Sequence, residues 1–295
     1  MNAFSISELE KFSGIKAHTI RIWEQRYQAL KPHRSDGNTR SYDGSQLRRL
    51  LNIVSLLNSE YKVSELCTFP DTKLNALLQN RLKQLVAEEE SNGYYISQLI
   101  AAGMSFDEPH FNKIFSHCLL KLGIRNTYLE VVYPMLLRLG LMWSVGDLSP
   151  AYEHFISNLL KQKLFTAIDA LPPPSRSDRT WLLFLPENEF HEIGLLFSNF
   201  LILKAGQKVV SLGSNVPFDN LRNTIEYLKP THLLCFLVRH QDAHEVNSFV
   251  QSLKKFMGKA TLCLAGSKKA SGNINLSSQV VALHSVKDLE EMLQK

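Results

Sequence analysis

Apolar positions along the chain change their spacing twice. Near the start, Ser5-Ile6-Ser7-Glu8 has the spacing of a capping box. It predicts a short helix that turns Ile6, Leu9 and Phe12 inward and stops at Gly14, a natural left-handed cap. A second helix follows over Ala17–Tyr27. At 100° per residue Ile20, Trp23 and Tyr27 fall on one side, and His18, Arg21 and Gln25 on the other. From about Thr72 to Leu171 apolar residues recur at helical spacing, as in Leu74, Leu77, Leu78, Leu82 and Leu85, then Phe111, Phe115, Cys118, Leu119 and Leu122. That texture predicts a helical bundle. Beyond it, β-type runs at Trp181–Leu185, Lys208–Leu212, Leu233–Val238, Thr261–Leu264 and Val280–Leu283 alternate with helical patterns. Such alternation predicts a parallel, doubly wound sheet of five strands.

Between the first two textures and the third, Leu171-Pro-Pro-Pro-Ser-Arg-Ser-Asp178 cannot continue a helix, because consecutive prolines remove donors and impose extended geometry. The expected organisation is therefore multidomain: residues 1–71 a mainly helical reader, 72–171 a helical bundle, 172–178 a linker, and 179–295 an α/β domain of flavodoxin/Rossmann-like type. Within the reader, Lys31–Tyr42 carries the turn residues Asp36-Gly37-Asn38 between basic and aromatic flanks. It suits a small β-wing whose Arg34 and Arg40 reach phosphates or the minor groove while Tyr42 buttresses it. An exposed hairpin on a helical domain is the alternative.

Composition leaves this picture standing. A chain of 295 residues, 44% hydrophobic and 21% charged, has apolar surface to bury in more than one core. No uncharged apolar run approaches the ~20 residues of a membrane span, and the N-terminus lacks a basic-then-apolar export signal, so a cytoplasmic protein without membrane contact is expected. Cys67, Cys118, Cys235 and Cys263 are far apart and form no CxxC pair, which predicts reduced, buried thiols. Charge sharpens the reader: between Lys16 and Arg49 stand eight basic residues against three acidic ones, which equals the whole formal excess of +5.

Taken together, Ile6–Ile15, Thr19-Ile-Arg-Ile-Trp-Glu-Gln-Arg-Tyr27, Asn38-Thr-Arg-Ser-Tyr42 and Leu47–Ile53 resemble the MerR family of winged helix-turn-helix regulators over roughly one quarter of the chain. In that family the second helix enters the major groove, the wing grips the backbone and dimers read a two-fold site. The resemblance implies double-stranded operator DNA as partner, a homodimer or higher homo-oligomer, and DNA contacts from His18, Thr19, Arg21, Arg26, Arg34, Arg40 and Tyr42. Metal-sensing relatives use paired cysteines after the reader; here Cys67 stands without a partner, which disfavours a thiol-based metal sensor.

In a doubly wound sheet, ligands sit beyond the carboxyl ends of the strands where strand order reverses. The loop after the first predicted strand, Pro186-Glu-Asn-Glu-Phe-His-Glu-Ile-Gly194, places a histidine among carboxylates there. By itself a loop histidine is an ordinary solvated side chain. The order Glu189-x-His191-x-x-Gly194 resembles the D/E-x-H-x-x-G motif of cobalamin-binding domains, in which the histidine is the lower cobalt ligand. A neutral imidazole is a good nitrogen donor, a carboxylate two residues earlier can fix its tautomer, and Gly194 lets the backbone pass close to a ligand. In the helical region Trp143, followed after nine residues by Glu153-His154, resembles the cap of CarH-type cobalamin photoreceptors, which covers the upper face of the corrin.

Three departures accompany that likeness. Family members commonly have a serine after the third strand and a double glycine after the fourth, where the nucleotide tail is buried. Here Phe236 stands in the first neighbourhood, where its ring could obstruct the tail slot, and Ala265 in the second, which it narrows. Photosensing members carry a histidine directly after the tryptophan, where this chain has Ser144. The resemblance implies a non-enzymatic transcriptional regulator responding to cobalamin, in particular adenosylcobalamin, through changed subunit association. The rival is a regulator whose degenerate cobalamin fold binds no cofactor and docks a regulatory protein. A corrinoid enzyme is a third reading, opposed by the attached DNA reader.

Overall fold

The computed structural model describes residues 4–34, 39–57, 60–84, 92–143, 150–175, 178–238, 243–266 and 279–294. The chain divides into two compact units, Met1–Leu159 and Leu160–Lys295.

Unit 1 opens with α1 (Ile6–Ser13), whose Ser5 and Glu8 form the expected capping box and whose Gly14 closes the helix in the left-handed conformation at φ 74°. The helix α2 (Ala17–Tyr27) follows, then a two-stranded antiparallel ribbon of β1 (His33–Arg34) and β2 (Arg40–Ser41). The tip of this wing, residues 35–38, lies outside the described residues. A bridge between Phe4 and Tyr42 ties the wing's base to the start of the chain. Asp43 then caps α3 (Gly44–Ser55) by accepting from Gln46 N–H. After it come α4 (Val63–Thr68), α5 (Asp71–Gln84), α6 (Asn92–Met104) and α7 (Glu108–Asn126). A π-helical turn, Thr127–Val132, leads into α8 (Tyr133–Trp143), and α9 (Pro150–Asp169) crosses the division between the units.

The reader's core is Leu9, Phe12, Ile20, Leu47, Leu50 and Leu51, all fully buried. Arg49 is turned inward rather than toward solvent: its guanidinium donates to the carbonyls of Ala29 (2.7 Å), Cys67 (2.8 Å) and Phe69 (2.9 Å) and pairs with Asp71 (2.5 Å). One of the eight basic residues therefore staples α2, α4 and α5 together, and the charge available to a partner is smaller than the sequence count. A buried polar chain joins the reader to the bundle. Gln98 of α6 donates to Ser55 (2.9 Å) and Asn52 (3.4 Å) of α3, and His110 of α7 donates Nε2–H to Gln98 Oε1 (3.0 Å). Burial holds His110 below the usual histidine range, in its neutral form.

Unit 2 is a five-stranded, wholly parallel sheet of β3 (Thr180–Pro186), β4 (Lys208–Val216), β5 (His232–Leu237), β6 (Thr261–Gly266) and β7 (Val280–Leu283), in the order β4-β3-β5-β6-β7. This is the flavodoxin-like order, whose reversal point lies between the first and third strands, here β3 and β5. The helices α11 (Phe218–Leu228) and α12 (Ala243–Lys254) pack on one face through Leu221, Ile225, Val246, Val250 and Leu253. The other face takes α10 (Glu192–Lys204) and α13 (Val286–Gln294). Trp181 is fully buried, with its indole N–H donating to Gln207 Oε1 at 2.5 Å. The second strand runs four residues past the expected Leu212. A polar Gly213-Ser-Asn215 ends the apolar run, yet left-handed Gly213 (φ 76°) and Asn215 (φ 54°) bulge the strand and carry its pairing on to Val216.

Candidate functional site

On α2 the inward side is Ile20 and Trp23, and His18, Arg21, Gln25 and Arg26 are exposed on the outward side, with Thr19 half-buried beside them. Basic, hydrogen-bonding side chains on an open helix face are what major-groove reading requires. Arg34 is also exposed, on β1.

Two of the expected DNA residues are held from beneath. Glu24, on the buried flank of α2, accepts from Arg40 Nε (2.9 Å) and from Tyr42 O–H (2.8 Å), with Arg34 at 3.8 Å. Tyr42 is completely buried, so it cannot touch DNA. Its role is the buttress, and its place among the contact residues is corrected accordingly. Burial, and next the Glu24 hydrogen bond, push its phenol well above the ordinary tyrosine range and keep the O–H as a donor. Arg40 is mostly covered, and its bond to Glu24 raises its pKa further. Sequence reasoning passed over Glu24. The signal was there: it is the acid that follows Trp23 and stands four residues after Ile20, so it belongs to the buried side.

In unit 2 the loop after β3 is built around Glu189, whose side chain is fully buried. Its Oε1 accepts from the backbone N–H groups of Phe190 (3.0 Å) and His191 (3.1 Å) and from His191 Nδ1 (2.5 Å). Its Oε2 accepts from Val238 N–H (3.0 Å), just past the end of β5. One carboxylate thus bridges the two strand ends that flank the reversal point. The bulged end of β4 pins the same loop, as Asn215 N–H donates to the Glu189 carbonyl (3.1 Å) and Asn188 N–H to Asn215 Oδ1 (2.9 Å). His191 caps α10 with its side chain 56% exposed, so the imidazole is oriented from inside and presented outward. With Nδ1–H directed at a carboxylate, Nε2 carries the lone pair, the tautomer a metal ligand needs.

Among the described residues no group of three or more His, Cys, Asp and Glu side chains is arranged to hold a bare metal ion. A single oriented imidazole is instead the donor set for a metal already equatorially bound by a macrocycle. The lower-ligand half of a corrinoid site therefore fits the residues present. Beneath it Gly194 does not open room for a ligand as its place in the motif implied, whereas the bulk of Phe236 lies there, as its place in the sequence implied. A Cβ on Gly194 would meet Phe236 Cε1 at 2.6 Å and Cδ1 at 3.0 Å, so the space that glycine opens in the first turn of α10 is taken by the Phe236 ring. Ala265 is the register partner of Phe236 across β5 and β6, and Gly266 lies so close to the Leu237 carbonyl that no Cβ would fit there. Gly194 thus lets a protein side chain pass close.

Of the cap residues, Glu153 and His154 lie in the first turn of α9, with His154 Nδ1 3.2 Å from Glu153 Oε2 and Ser157 donating to Glu153 at 2.6 Å. Trp143 is the last residue of α8, but its side chain and residues 144–149, Ser144 and the expected turn at Gly146-Asp147 among them, lie outside the described residues. Cys67, Cys118, Cys235 and Cys263 are all buried and free, and burial pushes the Cys67 thiol up to about 11 and those of Cys118 and Cys263 to about 12. No helix among the described residues is long and apolar enough to cross a membrane.

A winged helix-turn-helix module and a parallel α/β domain with a histidine at its reversal point thus lie on one chain. Residues 4–67 match the MerR HTH family regulatory protein model, and the N-terminal part is a MerR-type helix-turn-helix domain. The chain is 25% identical over 262 residues to the HTH-type transcriptional repressor CarH of Myxococcus xanthus, covering 85% of this chain and 84% of that protein. It is also 25% identical over 248 residues to the repressor CarA of the same organism, covering 83% and 80%. In fold it is similar to the monomethylamine corrinoid protein of Methanosarcina barkeri, with a TM-score of 0.52 at 14% identity, over 69% of this chain and 99% of that one. The C-terminal fold is of the kind that corrinoid protein has.

Proposed function

We propose that this protein is a cytoplasmic transcriptional regulator that binds double-stranded operator DNA as a homodimer or higher oligomer and senses a corrinoid through its C-terminal unit. The observation that carries the sensing half is the Glu189–His191 pair: a buried carboxylate, locked to both strand ends, aims an exposed imidazole at the reversal point of the sheet. His191 would hold the cobalt, Glu189 would be its positioning residue, and Trp143, Glu153 and His154 would be the cofactor-binding residues of the helical region. A bound corrinoid supplies cobalt, which an imidazole nitrogen can ligate. A ligand preferring one association state of the protein shifts operator affinity by linkage.

Likeness to the two repressors supports this reading over an enzymatic one. Adenosylcobalamin as the form, and light as the trigger, rest on the cap motif alone. Ser144 after Trp143 would offer a bound cobalt only a hydroxyl, a poorer donor than imidazole, and His154 would be the histidine of the cap motif.

The reading is tested by dialysis against hydroxocobinamide and hydroxocobalamin. Wild type should retain a corrinoid with a histidine-ligated spectrum, and His191→Ala should retain at least about tenfold less, the lower part of the range for disturbed metal sites. Equal retention would move the ligand elsewhere. A second reading, in which the fold binds no cofactor and docks a regulatory protein, is favoured by the Phe236 ring at Gly194. Its mark is wild type retaining neither corrinoid.

On the DNA side, Arg21→Ala should lower operator affinity by about 1–3 kcal/mol if it reads a base, leaving stability unchanged because Arg21 is exposed. Gel-shift titrations at two salt concentrations decide this, and wild-type affinity would remove Arg21 from the interface.

A further inference from the structure

The Phe236 ring bears directly on what the His191 site can accept. Val238 N–H is bonded to Glu189, so the end of β5 is locked beside the His191 loop. Two residues earlier on that strand, Phe236 sends its ring into the hollow at Gly194, with Cε1, Cδ1 and Cζ all within 3.3 Å of where a Cβ would lie. Gly194 itself is in the first turn of α10, three residues after His191. Within one helical turn of His191, the space between α10 and β5 is therefore filled by the Phe236 ring. Among the described residues, the neighbouring strand is covered there as well. Ala265, paired with Phe236, is 8% exposed, and the Gly266 backbone is packed against the Leu237 carbonyl.

A macrocycle held at the carboxyl edge of the sheet would need an exposed, oriented imidazole, which His191 supplies. A pendant nucleotide passing between α10 and β5 would need the space at Gly194, which the Phe236 ring occupies. We propose that the C-terminal unit takes a corrinoid without a threaded nucleotide, of the cobinamide class, and that Phe236 is the specificity residue that discriminates against complete cobalamin. This rests on the corrinoid reading given above and deepens it. To admit the tail, the ring must leave Gly194 and repack elsewhere, and over-packing or repacking of this kind lowers affinity by roughly tenfold or more.

The test titrates the full chain in the dark with hydroxocobinamide and hydroxocobalamin, following the corrin absorption bands and the corrinoid retained after gel filtration. Wild type should bind cobinamide about tenfold or more tightly than cobalamin. Phe236→Ser should tighten cobalamin and leave cobinamide within about twofold, closing the gap, and Phe236→Leu provides a milder opening if the serine variant folds poorly. Wild type binding cobalamin as tightly as cobinamide would overturn the proposal while leaving the corrinoid site intact. Retention of neither corrinoid by wild type or by the Phe236 variants would overturn the proposal together with the corrinoid reading.

Discussion

Replacing Glu24 by alanine is expected to lower the stability of the N-terminal unit by about 2–3 kcal/mol and to weaken operator binding beyond what that loss explains. The carboxylate is 8% exposed and holds both Tyr42 O–H and Arg40 Nε. Alanine leaves a phenol and a guanidinium without their acceptor. Breaking a fully buried pair costs about 3–5 kcal/mol, but Arg40 retains some access to water, which brings the figure down. Glu24→Gln keeps one acceptor of the same shape and should cost about 1 kcal/mol. The effect on DNA is geometric. Glu24 is the side chain through which α2 meets both Arg40 of β2 and Tyr42, so the angle between α2 and the wing depends on it. Denaturant unfolding followed by gel shifts under fully folded conditions separates the two effects. An unfolding midpoint for Glu24→Ala equal to wild type would show that the network carries no stability.

The same network marks what could be read from sequence. The capping box at Ser5, the stop at Gly14, the outward face of α2 and all five strands were legible because each is set by local spacing. Arg49 was not, and Tyr42 only in part: its place as buttress of the wing was legible, its bond to Glu24 was not. A basic or aromatic residue in a basic stretch looks like a partner contact until the chain returns and offers it Glu24, or the carbonyls of Ala29, Cys67 and Phe69. In unit 2 the motif spacing brought Glu189 and His191 together correctly, since two residues along a loop suffice. That the second Glu189 oxygen binds Val238 depends on which strand lies next to β3, and sequence periodicity does not fix strand order. The same holds for Phe236. Its bulk is visible in the sequence, but its seat on Gly194 exists because β5 is placed beneath α10.

Glu189→Ala is expected to destabilise unit 2 by about 3–5 kcal/mol, and Glu189→Gln by about 1–3 kcal/mol. Four donors converge on this side chain: three backbone N–H groups, from Phe190, His191 and Val238, and the Nδ1–H of His191. Only a carboxylate, which accepts at both oxygens, satisfies all of them. A glutamine turned to serve Phe190 and His191 sets its NH2 against Val238 N–H, and the opposite rotamer sets it against the loop. At least one donor–donor clash remains either way, around a fully buried side chain. The variant should therefore release the end of β5 from the loop, seen as faster amide exchange at Val238 together with a lower unfolding midpoint in both variants. It should also lose its hold on the imidazole tautomer, so that corrinoid retention falls with stability rather than independently of it. His191→Ala provides the contrast. It removes the exposed ring and leaves the three backbone bonds to the carboxylate, so retention should fall with the midpoint within about 1 kcal/mol of wild type. If Glu189→Gln kept the wild-type midpoint and the wild-type protection of Val238, the bridge between the two strand ends would not be what holds His191 in place.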